Sequence, residues 1–148
     1  MRAVSDASPL IALSLISRLD LLPRLFRSVI VPPAVASEIK SFRLPEWVRV
    51  LAVPADLPQI AGIEAPGPGE AEAIRLALRL SPDRLLLDDG QGRRVAKALN
   101  LRVTGVPGLL VTARESGLIQ SIRPEVDSLI SKGFHVSDWL YDDLLADD

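Results

Sequence analysis

The chain has 148 residues, of which 48% are apolar and 24% are charged, and its formal net charge is −2. This length is enough to bury one hydrophobic core and is short for two, so we expect a single domain over residues 1–148. The sequence contains no cysteine, which excludes disulfides, thiolate nucleophiles and cysteine-ligated zinc or iron–sulfur sites.

The first third of the chain predicts two strands, each followed by helical sequence. Ala3 to Ser5 predicts a short strand, and Ser8 and Pro9 predict the N-cap and first turn of a helix that ends near Ser17. The next elements are a short helix over Leu21 to Phe26, a buried strand over Val29 to Val31 and a helix from about Ala34 to Lys40.

The rest of the chain continues this alternation. Trp47 to Val53 has strand character, and Pro54 to Gly69 is a proline- and glycine-rich loop that we expect to be mobile. Later elements are a helix from Glu70 to Ser81, a strand over Arg84 to Leu87, a helix over Gln91 to Leu99, a strand over Leu101 to Val103, and helices near Gly108 to Glu115, Pro124 to Lys132 and Ser137 to Leu145. The alternation predicts an α/β fold whose mostly parallel sheet of four to five strands carries helices on both faces.

Carboxylates follow two of the predicted strands. Asp6 ends the first strand, and Asp88 and Asp89 directly follow a run of three leucines. The carboxyl ends of strands line the ligand crevice in open α/β sheets, so these acids can converge from distant positions. Glu70 in the first turn of its helix, and Glu38 about one turn into its own, can face the same crevice.

Such a set of acids favours a divalent cation, because four or five carboxylates in one crevice repel one another strongly. Mg²⁺ and Mn²⁺ prefer oxygen ligands, and Mg²⁺ usually keeps several waters. A metal of this kind supports phosphodiester hydrolysis by lowering the pKa of a bound water. His135 is the only histidine, which excludes a ribonuclease mechanism with two histidines.

Each acid also has a purely structural interpretation. Asp6 can cap a helix, Glu70 can complement a helix dipole, Glu38 can lie on a solvated helix face, and Asp88 with Asp89 can form a polar turn. The combination of all five favours the metal site.

Other polar residues lie near these acids in sequence. Arg93, Arg94 and Lys97 can contact a phosphate backbone or form an exposed helix face. Thr104 ends the last strand and can bind a metal-bound water or a phosphate, or belong to a turn. Near the C-terminus, Trp139 and its apolar neighbours can cover the core or form a partner interface.

Five segments in this order resemble the PIN-domain nucleases, specifically the prokaryotic VapC-like toxin branch. The segments are Val4-Ser5-Asp6-Ala7-Ser8-Pro9-Leu10-Ile11, Val31-Pro32-Pro33-Ala34-Val35-Ala36-Ser37-Glu38, Gly69-Glu70-Ala71-Glu72-Ala73-Ile74, Leu87-Asp88-Asp89 and Val103-Thr104-Gly105. The resemblance covers nearly the whole chain. It implies a PIN-like three-layer α/β/α sandwich and an endoribonuclease that uses Mg²⁺ or Mn²⁺. It also implies the toxin of a type II toxin–antitoxin module, an antitoxin protein as partner, and a homodimer.

The resemblance also implies roles for individual residues. Asp6 is the metal ligand of the first strand and Ser8 orients it, while Glu38 is the second acid. The metal ligands that it implies are Asp6, Glu70, and Asp88 or Asp89. The family pattern favours Asp89 of the last pair, and Asp88 stays open. Thr104 and Ser8 support the site, and RNA is the substrate.

The sequence departs from the family pattern in two places. Glu70 replaces the more usual aspartate, and Glu72 lies about 200° around the helix from it, so the two cannot point into one site. Val106-Pro107 stands where relatives start a helix with glycines. This second departure supports an alternative function, a catalytically weakened PIN-like module that binds RNA or protein. A phosphoacceptor or phosphatase domain is a further alternative, because it also places aspartates at strand ends.

The sequence also indicates where the protein resides. Met1-Arg2-Ala3 leads directly into strand-like sequence, without the apolar region and cleavage site of a secretory signal. The longest apolar helical stretch, Leu10 to Leu22, is interrupted by Arg18 and Asp20 and is shorter than the ~20 residues of a membrane span. We therefore expect a cytoplasmic protein without membrane association.

Overall fold

The computed structural model describes residues 1–57 and 68–148. Its strands are β1 (Arg2–Ser5), β2 (Ser28–Val31), β3 (Val48–Val50), β4 (Arg84–Leu86) and β5 (Val103–Thr104). The helices in these ranges are α1 (Ala7–Leu15), α2 (Leu21–Leu25), α3 (Pro33–Glu38), α4 (Pro68–Leu80), α5 (Gly90–Ala98), α6 (Val106–Glu115), α7 (Arg123–Ser131) and α8 (Asp138–Leu145).

The strands form one five-stranded sheet in the order β3-β2-β1-β4-β5 within the described ranges. Every pair is parallel. The predicted α/β/α architecture is therefore confirmed, and the sheet is parallel throughout.

The sheet register brings the ends of β1, β4 and β5 level with one another. Ser5 of β1 is paired with Leu86 of β4, and Leu86 is paired with Thr104 of β5. The Asp6 amide donates to the Leu86 carbonyl at 3.0 Å, which extends the β1 ladder by one residue. The residues that follow these three strands consequently emerge at the same edge of the sheet.

The two central strands are buried on both faces. Ala3 and Val4 of β1 have no exposed surface, and Leu85 and Leu86 of β4 have 1% or less. Helices cover both faces of a parallel sheet, so its central strands have continuous apolar sequences rather than alternating ones. This burial fixes the positions of the acids that follow the strands.

The prediction that Ser8 caps the first helix is wrong. The helix α1 begins at Ala7, Asp6 occupies the N-cap position with extended backbone angles, and Ser8 lies inside the first turn. The helix starts early because Asp6 still belongs to the sheet ladder, so the chain turns directly from strand to helix. Pro9 fits the third helical position, where its missing N–H has no helical partner to lose.

Other boundaries moved by a few residues. Pro68 and Gly69 belong to α4 rather than to the predicted loop, and β5 begins at Val103 rather than Leu101. Most of the predicted mobile loop, residues 58–67, lies outside the described residues. None of the helices in the described ranges is long and apolar enough to cross a lipid bilayer.

Candidate metal centre

Asp6 lies at the centre of the predicted acidic site. Asp6 directly follows the central strand β1 and is only 8% exposed. The pKa of its carboxyl group is raised to about 6, mainly by burial and further by the nearby charges of Glu38, Asp88 and Asp89, while a hydrogen bond from the Ala7 amide lowers it. The fold therefore brings four carboxylates from three separate parts of the sequence into electrostatic contact.

Glu70 is the second strongly perturbed acid. Burial is the main reason that its pKa rises to about 7, followed by a hydrogen bond with Asp89 and the charges of Asp89, Asp6 and Glu38. Its Oε1 atom is buried and has no hydrogen-bond partner among the described residues. A buried carboxylate oxygen without a partner is costly, and it is a natural position for a cation.

Gly92 makes the room that the Glu70 carboxylate occupies. A Cβ atom at this position would lie 1.7 Å from Glu70 Oε1, far inside van der Waals contact. Any other residue here would push the carboxylate away. The sequence shows this glycine only as part of a helix, so the close approach to Glu70 could not be predicted from local pattern.

Asp88 and Asp89 have different environments although they are adjacent. Asp88 accepts a hydrogen bond from the Val106 amide at 2.8 Å, and burial raises its pKa while the charge of Arg93 opposes that rise. Asp89 is the N-cap of α5 and accepts from the Gly92 amide at 2.9 Å, which lowers its pKa. Asp89 is therefore held in its ionised form by a helix terminus.

The departure at Val106-Pro107 keeps a hydrogen-bond donor at the site. The helix α6 begins at Val106, with Pro107 in the first turn, where a proline fits well. Because the first amides of a helix have no partner within the helix, the Val106 N–H is available to bind Asp88. A glycine-rich helix start is thus not required to hold this acid.

Glu38 contacts the start of α4. Its Oε1 accepts a hydrogen bond from the Gly69 amide at 2.9 Å. A Cβ at Gly69 would lie 2.5 Å from the same oxygen, which explains the glycine before Glu70. Glu72 instead accepts from the Ala34 amide at 2.8 Å, as expected for a residue on another face of α4 than Glu70.

The residues predicted to support the site lie beside it. Ser8 is exposed in the first turn of α1 and lines a cavity of about 250 Å³ together with Asp88 and Arg93. Thr104 lies in β5 and lines a separate groove that also includes Arg93. Sequence reasoning missed Ser5, which is fully buried and whose hydroxyl donates to the Asp6 carbonyl at 2.8 Å.

The predicted basic cluster is divided by the fold. The charge of Arg93 acts on Asp88, and the charge of Arg94 acts on Asp89. Lys97 is exposed in the last turn of α5. It lies about 10 Å further along the helix axis than Gly90. Two of the three cations are therefore placed beside the acids, and the third is near the opposite end of the helix.

The donor set suits a hard divalent cation, because every candidate ligand is a carboxylate oxygen. No group of three or more acidic, histidine or cysteine side chains within residues 1–57 and 68–148 has the arrangement of a complete metal site. A cation would therefore bind with water molecules completing its shell, as is usual for Mg²⁺, or with small side-chain movements. The unpartnered Glu70 oxygen is the observation that fits a cation best.

Comparison with known proteins identifies the family. The family model DUF3368, described as a PIN domain, matches residues 2–147. Searches of curated proteins and of solved structures gave no match. PIN domains are generally nucleases, and the all-parallel sheet with acids at its strand ends has the fold expected for one. The chain therefore belongs to the PIN-domain family.

Proposed function

We propose that this protein is an endoribonuclease that hydrolyses RNA phosphodiester bonds with Mg²⁺ or Mn²⁺ as cofactor. The observation that carries the proposal is Asp6, which is buried at the end of the central strand and faces three further carboxylates. A protein that only needed to fold would gain stability by replacing such a group. A bound divalent cation would offset the repulsion among these carboxylates, which explains why the site contains them.

We assign the metal to Asp6, Glu70, Asp88 and Asp89, with Glu38 as the fifth acid of the catalytic site. When bound, the metal would supply an activated water and neutralise charge on the phosphate. Asp88 and Asp89 are fixed by the amides of Val106 and Gly92, so their oxygens do not have to be ordered when substrate binds.

Several neighbouring residues would act on the substrate. Arg93 and Arg94 lie beside the acids and would bind the phosphate backbone, with Lys97 contributing a more distant charge. Ser8 and Thr104 would hydrogen-bond water or phosphate at the rim. The pKa of Glu70 is raised to about 7 in the metal-free site, so binding of the cation to this ligand would release a proton near neutral pH.

We further propose that the protein is the toxin of a type II toxin–antitoxin module, acts in the cytoplasm as a homodimer and is inhibited by a small antitoxin protein. This finer assignment is supported by the resemblance of five ordered sequence segments to VapC-like toxins. The acidic site around Asp6 would suit a basic side chain of the antitoxin.

The alternative is a catalytically weakened PIN-like module that binds RNA or protein. Its sequence support was the Val106-Pro107 departure. The hydrogen bond from the Val106 amide to Asp88 favours the enzyme over this alternative, because an acid that the site no longer used would not need a fixed position.

Cleavage of end-labelled single-stranded RNA tests the proposal. Wild type and Asp6→Asn are each assayed with Mn²⁺ and with EDTA. We expect cleavage only by the wild type with Mn²⁺, and a loss of at least about 100-fold in Asp6→Asn, because a direct ligand should matter more than the outer partners of a metal site. Equal cleavage by the two folded proteins would overturn the assignment of Asp6.

A further inference from the structure

A groove of about 560 Å³ lies beside the edge strand β5. Its walls are formed by β5, α6 and α8, with Arg84 and Arg93 reaching it from β4 and α5. The volume lies within the range of about 300–1,000 Å³ that is usual for binding sites of small molecules and their fragments. The sequence analysis considered Arg93, Thr104 and Trp139 separately, and the fold brings all three to this one groove.

Trp139 lines this groove and is largely exposed. The residue is 72% accessible in the first turn of α8. The helix itself is anchored, because Leu144 is buried and Leu140 packs against the core. An indole held on an anchored helix loses little conformational freedom when it binds a partner. It therefore offers a large, flat aromatic surface in a fixed place.

The charges that line the groove are positive. Arg84 and Arg93 are the charged residues of its lining, and Thr104 adds a polar side chain. The acidic residues of α8, Asp138, Asp142 and Asp143, are not part of that lining. An aromatic ring and arginines that line one groove are the combination that binds single-stranded nucleic acids, since the ring stacks on a base and the cations bind phosphate.

The groove adjoins the cavity that contains Asp88. Arg93 lines both the groove and the cavity that contains Asp88. A Cβ atom at Gly105 would lie 2.6 Å from Arg93 Nη1 and 2.6 Å from Asp88 Oδ1, so both side chains flank this glycine. An RNA strand positioned for cleavage at the acids would thus pass Arg93 before it reached the groove.

We propose that Trp139 is a stacking platform for an unpaired base of the RNA substrate, with Arg84 and Arg93 contacting the adjoining phosphates. The inference rests on the proposed nuclease function and adds a residue that contacts a base of the substrate. That base must be unpaired, because a base within a duplex is already stacked on both sides. It assigns selection of single-stranded RNA to a residue outside the acidic site.

Binding affinity tests this role in the non-cleaving Asp6→Asn background. The probe is a labelled single-stranded RNA of about ten nucleotides, a length within the range that single-strand binding sites cover. We expect Trp139→Leu to weaken binding by about 5- to 100-fold and Trp139→Phe by less, because stacking needs an aromatic ring. Leucine keeps apolar bulk, so equal affinities of the leucine variant and the parent would overturn the proposal.

Two arginine variants provide the matched charge test. Arg84→Gln should weaken binding and reduce its salt dependence. Arg49→Gln removes the same charge from β3 at the opposite edge of the sheet and should do neither. An equal effect of the two substitutions would mean that only the net charge of the protein matters, which would contradict a localised site.

Tryptophan fluorescence identifies the contact directly. Trp47→Phe leaves Trp139 as the only tryptophan, and we expect RNA to quench its emission. Unchanged emission when RNA is bound would overturn the proposal. So would emission that changes with protein concentration alone, because that result would assign the groove to contact between two copies of the chain.

The outcomes for the two proposals are separable. Cleavage by the wild type without quenching of Trp139 would reject the stacking site and keep the nuclease. Quenching and the expected series of affinities in a protein that does not cleave would support the stacking site and reject the nuclease. Because Trp139 is exposed, its substitution should leave the fold intact, which circular dichroism verifies.

Discussion

Glu38 and Glu72 each cap the helix that carries the other. Glu38, at the end of α3, accepts from the Gly69 amide in the first turn of α4. Glu72, in α4, accepts from the Ala34 amide in the first turn of α3. The two carboxylates thus fix α3 against α4 through their otherwise unpaired first-turn amides. One of these helices carries Glu38 to the acidic site, and the other carries Glu70.

Removal of the Glu72 carboxylate should loosen this pair of helices. We expect Glu72→Ala to lower the free energy of unfolding by about 0.5–2 kcal/mol, the usual effect of a lost N-terminal cap. Glu72→Gln keeps an oxygen that can accept from Ala34 and should retain most of the stability. Urea denaturation measures both. The same loss in the two variants would show that charge, rather than the hydrogen bond, is responsible.

Gly92 and Gly90 provide a matched test of the space around Glu70. Both lie at the start of α5, but a Cβ at Gly92 would lie 1.7 Å from Glu70 Oε1, whereas a Cβ at Gly90 would meet nothing within 4 Å. We expect Gly92→Ala to displace the carboxylate and weaken Mn²⁺ binding by about 10- to 100-fold. Gly90→Ala should bind Mn²⁺ as the wild type does. If both alanine variants bind Mn²⁺ equally, Glu70 does not contribute to the site.

The raised pKa values predict how the stability of the metal-free protein depends on pH. In the folded protein the pKa of Asp6 is raised from 3.8 to about 6, and that of Glu70 from 4.5 to about 7. The folded state therefore binds more protons than the unfolded state in this range, and stability should fall as pH rises from about 5 to 7.5. Denaturation in EDTA across that range measures it.

Asp6→Asn provides the control for this pH dependence. Without the Asp6 charge, the metal-free variant should be more stable than the wild type near neutral pH by about 1–3 kcal/mol. Its stability should also fall less steeply as pH rises. A wild type that becomes more stable across the same range would contradict the electrostatic account of the site.

The fold could be predicted from sequence because its central strands are buried on both faces. Continuous apolar runs such as Leu85 to Leu87 then alternate with helical segments, and this pattern indicates a parallel sheet. The position of Asp6 followed from the same reasoning, because a residue at the end of a central strand must lie at the crevice.

The contacts that hold the acids could not be predicted in the same way. The partner of Asp88 is the Val106 amide, 18 residues later in the chain, and the partner of Glu38 is the Gly69 amide, 31 residues later. Such pairs depend on how helices pack. The sequence placed Asp88 among the candidate metal ligands, with a polar turn as the structural alternative, and neither interpretation included the helix start that binds it.

The prediction for Ser8 failed for a related physical reason. A serine before a proline is a good N-cap, but the sheet ladder already includes Asp6, so the helix begins one residue before Ser8. Trp139 also shows how far the sequence pattern of a helix can predict the environment of a single side chain. Its helix has buried leucines, as expected of a covering segment, while the indole itself is exposed at a groove.

The central claim is that the acids around Asp6 form a divalent-cation site. The most direct test is a calorimetric titration with Mn²⁺ near neutral pH. It compares the wild type with Asp6→Asn. We predict saturable binding by the wild type, with release of protons from the acids of raised pKa, and binding at least about 10-fold weaker in Asp6→Asn. Equal Mn²⁺ affinity in the two proteins, or no binding to the folded wild type, would contradict the claim.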